Sequence, residues 1–336
     1  MKKQTKIAAA LSAAAFMMMV SGLPVYAASY GWVTEGDAKV YYDEDGYLTT
    51  DAWRKRGEDW FYLGEDGQIV KSKKIDEYYV DDEGKMVTNA WVELKNEEDP
   101  DSPETPDTFW YYFEKDGKSA VSKWVKFDSK WYYFDESGHM ATGKTEIDGA
   151  TYYLGTEKDG FMRTGWIRLE ENSHAPGASE SWYYFNSDGK MVTTQYDKKI
   201  DGSYYTFIDG KMQTGWVLMP SKSDVTDSNA ASPKITDYQY YGAAGDGKRA
   251  EGFRSIEGIS GIHAADEVYT FYFKAGKPYV SDKKGNSLFT INAKKYAFSD
   301  LGIMQTGRQI ANVANDEIAN FYFGEDGIVK TGKQAI

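Results

Sequence analysis

One hydrophobic pattern recurs along the chain. Aromatic runs such as WYYF at 131–134 and 182–185 are followed by a polar tip ending in glycine, then by a short run such as MVTT at 191–194. Segments such as TGWIRL at 164–169 lead into the aromatic runs. Aromatic and β-branched residues suit strands. Asp-Gly suits a tight turn, because glycine tolerates positive φ and Asp bonds its own backbone. Each unit therefore predicts a hairpin: a lead-in, an aromatic strand, an Asp-Gly turn and a short returning strand. Alternate residues of a strand face opposite sides, so one face of WYYF packs inward and the other can reach a groove.

The polar tips end at Gly46, Gly67, Gly84, Gly117, Gly138, Gly160, Gly189, Gly210, Gly247, Gly276, Gly302 and Gly327. They give about 12 units on a base period of about 21 residues. An isolated hairpin of this size is marginal, and repeats of this kind bury a core only by stacking on neighbours. The expected fold is all-β, an elongated solenoid of stacked β-hairpin repeats. Stretches rich in Pro, Ser, Asp and Glu at 95–108, 170–180 and 220–234 interrupt it as solvated loops. Beyond Phe253 the pattern degrades. The predicted organisation is a leader at 1–27, repeats with polar insertions at 28–252, and degenerate C-terminal repeats at 253–336.

Composition narrows the chemistry. Tyr counts 27, Trp 10 and Cys none, which excludes disulfides and thiolate sites. Lys2, Lys3 and Lys6 precede an apolar run that ends in Val25-Tyr26-Ala27, the form of a cleaved signal peptide cut after Ala27. The protein is thus expected to be secreted and cell-wall associated, with no membrane attachment after cleavage. A net charge of −13 argues against a nucleic-acid partner. The acidic turns at 43–46, 64–67 and 324–327 look like fragments of a calcium loop, but none has its twelve-residue pattern. They read as turn chemistry, with no metal and no cofactor expected. His139, His174 and His263 are scattered, without metal-ligand spacing or a nucleophile partner. The carboxylates are accounted for by turns and loops, so no catalytic residue is nominated.

The phrase GW, then WYYF, then G-x-M-x-TG resembles the choline-binding, or cell-wall-binding, repeat of Gram-positive surface proteins. It is similar also to repeats of glucan-binding domains and clostridial toxins. The best matches are 124–143 and 166–194, and units such as 142–154 and 196–207 look like the short repeats of the toxin and glucan-binding branch. The resemblance covers about 30–333 and implies a solenoid of hairpins. It also implies ligand cages of two aromatics from one hairpin and one from the next. Carried over, the paired tryptophans are Trp53 with Trp60, Trp91 with Trp110, Trp124 with Trp131, and Trp166 with Trp182. The third walls are Tyr79, Tyr133, Tyr153 and Tyr205 respectively. A quaternary ammonium has no hydrogen-bond donor, so an aromatic box is its natural receptor. Lys74 and Lys144 stand where a lead-in Trp is expected, which disfavours a cage there.

Three functions follow as expectations. The first is a non-catalytic surface protein attaching to a cell-wall polymer, through choline on teichoic acids or through a wall glycan. The second is a glucan-binding module or adhesin without choline recognition, with Glu136, Asn186 and Asp188 beside the rings. The third is a cell-wall hydrolase, for which the residues offer only the repeats.

Overall fold

A computed structural model describes residues 30–96, 106–170, 179–220, 232–243, 245–313 and 317–334. The leader and most of the three polar insertions lie outside them. The chain divides into two compact units, one up to Lys123 with Phe134–Met140, the other Trp124–Tyr133 with Ala141 onward.

Both units are built of antiparallel hairpins, and twelve hairpins are present among the described residues. The first five are Gly31–Glu35 with Ala38–Tyr42, Ala52–Arg56 with Asp59–Leu63, Lys73–Ile75 with Tyr78–Val80, Ala90–Lys95 with Thr108–Phe113, and Lys123–Phe127 with Lys130–Phe134. Lys144–Ile147 with Ala150–Tyr153, Gly165–Glu170 with Glu180–Phe185, and Gln195–Ile200 with Ser203–Ile208 follow. Gly215–Leu218 pairs with Tyr238–Tyr241, and Gly252–Glu257 with Val268–Lys274. Asn286–Ile291 with Lys294–Ser299 and Gly307–Asn312 with Ile318–Phe323 join Val329–Gln334 in one five-stranded sheet. A glycine tip follows each of the twelve aromatic strands. Below, a hairpin is named by the lead-in residue that sits second in its register, as in the Trp53 hairpin.

The turns differ from the simple expectation. The full ladder joins the lead-in to the aromatic strand, as in Trp166↔Tyr184 and Arg168↔Trp182. Its tight turns use residue pairs with positive φ, such as Asp148-Gly149 and Asp201-Gly202, the pattern that suits the twist of a two-residue hairpin loop. The acidic-glycine tips come later, and the run after most of them makes only an isolated bridge such as Phe185↔Met191, while short ladders form at Phe207↔Met212 and Phe273↔Pro278 and a longer one with Val329–Gln334. Their aspartates serve the local backbone: Asp43 Oδ1 accepts the N–H of Asp45 at 3.1 Å and of Tyr47 at 2.8 Å. An Asx turn of this sort closes the loop without a second ladder.

The short run after the tip has another task. Its N–H groups reach back to the preceding hairpin. In the first unit, Met86 donates to the Trp60 carbonyl and Met140 to that of Trp110, each at 2.8 Å. In the second, Met162 donates to Trp131 and Met191 to Thr151, each at 2.8 Å. Within each unit, hairpins are thus hydrogen-bonded in sequence, and eleven of the twelve supply a wholly buried anchor. Leu63, Val80, Phe113, Phe134, Leu154, Phe185, Phe207, Tyr241, Phe273, Phe298 and Phe323 are all wholly buried. Each closes the aromatic strand of its hairpin or lies one residue from its end: Phe207, Phe273 and Phe298 are the last residue but one, and Leu154 lies one residue beyond.

One packing relation recurs. The lead-in side chain of a hairpin meets the residue two positions before the core anchor of the next hairpin. The pairs are Trp32 on Phe61 at 5.8 Å, Trp53 on Tyr78 at 5.3 Å, Trp124 on Tyr152 at 5.0 Å and Trp166 on Tyr205 at 4.8 Å. Trp216 on Phe271 at 5.2 Å and Phe253 on Tyr296 at 5.0 Å continue it. Most are edge-on, the arrangement an aromatic quadrupole prefers, at about 0.5–1.5 kcal/mol each beyond burial.

Candidate ligand-binding site

Residues two apart share a strand face. The wall residue therefore lies on the same face as the core anchor, and the lead-in ring of the preceding hairpin closes over it. Where the preceding hairpin also carries a Trp at the start of its aromatic strand, the gap becomes an open box. Two such boxes are lined in the same way.

In the second unit, Trp166, Trp182 and Tyr205 line a cavity of about 290 Å³ with Met212, Asp246 and Lys248. The rings of Trp166 and Trp182 are 6.4 Å apart and nearly perpendicular. In the first unit, Trp53, Trp60 and Tyr78 line a cavity of about 330 Å³ with Met86 and Asp116. Trp60 keeps 40% of its surface open. Each box thus draws on three successive hairpins: two tryptophans from the first, a tyrosine and a methionine from the second, and a carboxylate from the tip of the third. The glycine beside that carboxylate lets the methionine pack closely. A Cβ on Gly117 (φ +84) would lie 2.7 Å from the Met86 sulfur, and one on Gly247 (φ +57) 2.3 Å from that of Met212.

The chemistry is that of a cation receptor without a hydrogen-bond requirement. Aromatic faces attract a cation by their quadrupole, at about 0.5–2 kcal/mol each. Each box also holds a polarizable thioether; Asp116 gives the Trp53 box a negative side, whereas Asp246 of the Trp166 box is paired with Lys248 at 3.4 Å.

The sequence-nominated residues divide as follows. Trp53 with Trp60, and Trp166 with Trp182 and Tyr205, stand together. Trp91 lies 6.4 Å from Trp110 but also packs on Tyr112 and Phe134. Trp124 meets Tyr133 of its own hairpin at 5.3 Å, and Trp131 is 40% exposed with the Lys126 ammonium 5.7 Å over its ring. Three nominated walls stand elsewhere. Tyr79 stacks on Phe113 at 5.9 Å, Tyr153 tilts against Phe185 at 6.2 Å, and Tyr133 lies against Trp124. Tyr78 and Tyr152 take the places nominated for Tyr79 and Tyr153. The reason is register: a shift of one residue turns a side chain to the opposite face, and adjacent tyrosines look alike in the sequence. Tyr79 and Tyr153 instead sit across the ladder from Lys74 and Lys144. Burial, with nearby carboxylates, holds the Tyr79 phenol above the usual tyrosine range. Met86, Met212, Asp116 and Asp246 were not nominated, although the recurring G-x-M after the tips carries the methionines.

The two lysine lead-ins fill the lead-in position themselves. The Lys74 ammonium stands 4.5 Å over the Tyr111 ring, and that of Lys144 5.4 Å over Tyr183. Trp32 and Trp216 are anchored instead: their indole N–H groups donate to the carbonyls of Lys55 and Glu257, each at 3.0 Å.

Parts of the chain resemble known repeats. A choline-binding repeat model matches residues 121–166, and a putative cell wall binding repeat model matches 178–191. A flagellin model matches residues 3–91, where the described hairpins keep the register found further along. Glucosyltransferase-I of Streptococcus downei is 26% identical over 317 residues, 89% of this chain and 17% of that protein. Glucosyltransferase-S of Streptococcus mutans is 29% identical over 193 residues, 52% of this chain and 10% of the relative. The chain thus spans less than a fifth of either relative. The structure of CbpJ from Streptococcus pneumoniae aligns with a TM-score of 0.51 at 19% identity, over 90% of this chain and all of that one, which shows a shared fold. The chain carries repeats of the choline-binding, cell-wall-binding type.

Proposed function

We propose that this chain is a secreted, non-catalytic attachment protein that holds choline groups of a wall teichoic acid in its aromatic boxes. The observation that carries the proposal is the repeated box: two Trp, one Tyr, one Met and one carboxylate, assembled at Trp166, Trp182 and Tyr205 and again at Trp53, Trp60 and Tyr78. A trimethylammonium group needs apolar contact and a negative field and offers no N–H to satisfy, which matches the rings and lone Asp116 of the Trp53 box and the rings of the Trp166 box. A leader cleaved after Ala27 would deliver the chain to the surface, and N-terminal sequencing of exported protein checks that cut.

The test is co-sedimentation with purified choline-bearing cell walls. Binding displaced by free choline and unaffected by dextran supports the proposal. Dextran displacement with no effect of choline supports the second reading, a glucan-binding module, which the glucosyltransferase relatives favour. Half-exposed Trp and Tyr faces suit pyranose rings as well as cations. A dye-release assay on the same walls checks the non-catalytic part: this chain alone is expected to release nothing.

A further inference from the structure

The Trp216 hairpin repeats the box arrangement, but its groove is filled. Trp216 leads in, Tyr238 stands at the start of the aromatic strand across from Leu218, and Phe271 of the Phe253 hairpin is the wall at 5.2 Å. The third tip, ending at Gly302, belongs to the hairpin of Asn286–Ile291 with Lys294–Ser299. A Cβ on Gly117 or Gly247 would meet the methionine of its box first; one on Gly302 would meet Ile235 Cδ1, at 3.1 Å. Ile235 comes from the short 3-10 turn Ile235–Asp237, just before the aromatic strand, and is 3% exposed. It shares a buried cluster with Ile259 and Phe271, against which Trp216, Tyr238 and Ile262 pack. Ile259 and Ile262 belong to the loop 258–267, between the strands Gly252–Glu257 and Val268–Lys274. Trp216 is joined to the start of that loop, since its indole N–H donates to the Glu257 carbonyl.

His263 holds the loop. It is 8% exposed, and both ring nitrogens are engaged. Nδ1 accepts the Ile259 N–H at 2.9 Å, and Nε2 lies 2.9 Å from the Leu301 carbonyl in the third tip. An N–H needs an acceptor and a carbonyl needs a donor. The ring is therefore neutral, with its proton on Nε2, and it ties the first turn of the loop to the next hairpin. The His263 N–H donates back to the Ile259 carbonyl at 2.8 Å. The turn is tight: a Cβ on Gly258 would lie 2.4 Å from that of His263. Phe271 at 5.5 Å and Tyr269 at 5.4 Å flank the ring, and the Tyr269 hydroxyl donates to Glu267 at 2.7 Å. Asp266 on the loop and Asp300 on the tip are exposed, and Asp237 of the 3-10 turn accepts the Lys234 N–H at 2.8 Å.

We infer that His263 is a proton-released latch that keeps the loop 258–267 closed over the Trp216 groove. An imidazolium carries an N–H on both nitrogens. Its Nε2 still donates to Leu301, but its Nδ1 turns a hydrogen towards that of Ile259, and a buried N–H without an acceptor is costly. Histidine is the side chain that ordinarily changes charge between about pH 5 and 8. The latch is thus made by the neutral ring and undone as pH falls. The loop then loosens with Ile259 and Ile262, and the groove loses that cover while Ile235 stays as its inner plug. His139 lacks this arrangement: its Nδ1 lies 3.6 Å from an Asp135 carboxylate oxygen, so a proton there meets a carboxylate instead of an N–H. The inference does not depend on what the open boxes bind.

The test uses the full chain labelled with 5-fluorotryptophan, with the Trp216, Trp182 and Trp60 resonances assigned from Trp216→Phe, Trp182→Phe and Trp60→Phe. Amide hydrogen exchange of the loop is followed alongside, corrected for the intrinsic effect of pH. From about pH 8 to about pH 5, protection of the Ile259 amide should fall roughly tenfold, the order expected for one hydrogen bond. The Trp216 resonance should move on the same curve, while Trp182 and Trp60 stay. In His263→Asn the side-chain oxygen can accept the Ile259 N–H and does not titrate, so protection should hold across the range. In His263→Leu, which offers no acceptor, the loop should be loose throughout. Native protection unchanged with pH, a fall that persists in His263→Asn, or movement of all three resonances together overturns the latch. If His263→Asn is already loose at about pH 8, the native curve and the Trp216 resonance decide. Failure of the boxes to bind choline leaves each of these outcomes as it stands.

Discussion

Trp53 and Lys74 hold the same register position in successive hairpins, and the rings they meet, Tyr78 and Tyr111, hold the same position in the next ones. The difference is one side chain. With Trp the groove is a box for an outside group; with Lys the chain's own ammonium already stands on the ring. Which tyrosine forms the wall follows from the two-residue period, and it makes a sharp comparison. Tyr78→Ala should weaken choline binding at the Trp60 resonance about tenfold, the loss of one cation–π wall of about 1–2 kcal/mol. Tyr79→Ala should leave that binding in place and lower stability instead, because Tyr79 stacks on Phe113. Thermal unfolding and the same titration, run on both variants, check the pair. The sequence marked the tryptophans plainly, since only they pair at that spacing. It could not choose between neighbouring tyrosines, because face assignment depends on which residue becomes the core anchor.

Between elements, the contact that sets the spacing of hairpins is the turn glycine of one against the Met that follows the tip of the one before. Gly117 and Gly149 both have positive φ, at +84 and +73. Only Gly117 faces a neighbour at close range, the Met86 sulfur, while Gly149 faces open space. Alanine at either position carries backbone strain of about 1 kcal/mol. Gly117→Ala should cost a further 1–2 kcal/mol or so, because Met86 must move. Combining it with Met86→Ala should recover part of that extra cost, and denaturant unfolding measures each step. The glycines and the G-x-M phrase were legible as a repeat. Their task was not: the tip reads as the hairpin's own turn, whereas the ladder lies on the other side of the aromatic strand. Local propensity identifies a turn but does not say which two strands pair across it.

At the scale of the whole molecule, tyrosine burial ties the fold to pH. Burial is the first cause that raises the phenols of Tyr62, Tyr79, Tyr132, Tyr240 and Tyr241. Tyr241 is the extreme case. It is wholly buried, and its hydroxyl donates to Asp197 at 2.8 Å, which discourages ionisation further. An unfolded tyrosine ionises near pH 10. Phenols held above that value bind their protons more tightly in the folded state. Their contribution to stability is complete below about pH 10 and is lost as pH rises through the raised folded values. In an alkaline titration, some of the 27 tyrosines should therefore ionise only as circular dichroism reports loss of the fold. Ionisation of all of them near pH 10 in a chain with native dichroism would contradict this. The aromatic richness that predicts such behaviour was visible in composition, and the identity of the tyrosines with raised values was not. Tyr241 is the core anchor of its hairpin, in the place where most other hairpins carry Phe, Leu or Val, and nothing local distinguishes it from Tyr240.

If the paired-tryptophan boxes take choline, the rings that line them must report it. Tryptophan fluorescence of the chain, titrated with choline chloride against matched sodium chloride, tests it most directly. A saturable change specific to choline is expected, reduced in Trp166→Ala and in Trp53→Ala and abolished in stages as boxes are removed together. A response identical in the two salts, or a choline response that survives loss of both tryptophans undiminished, would contradict it.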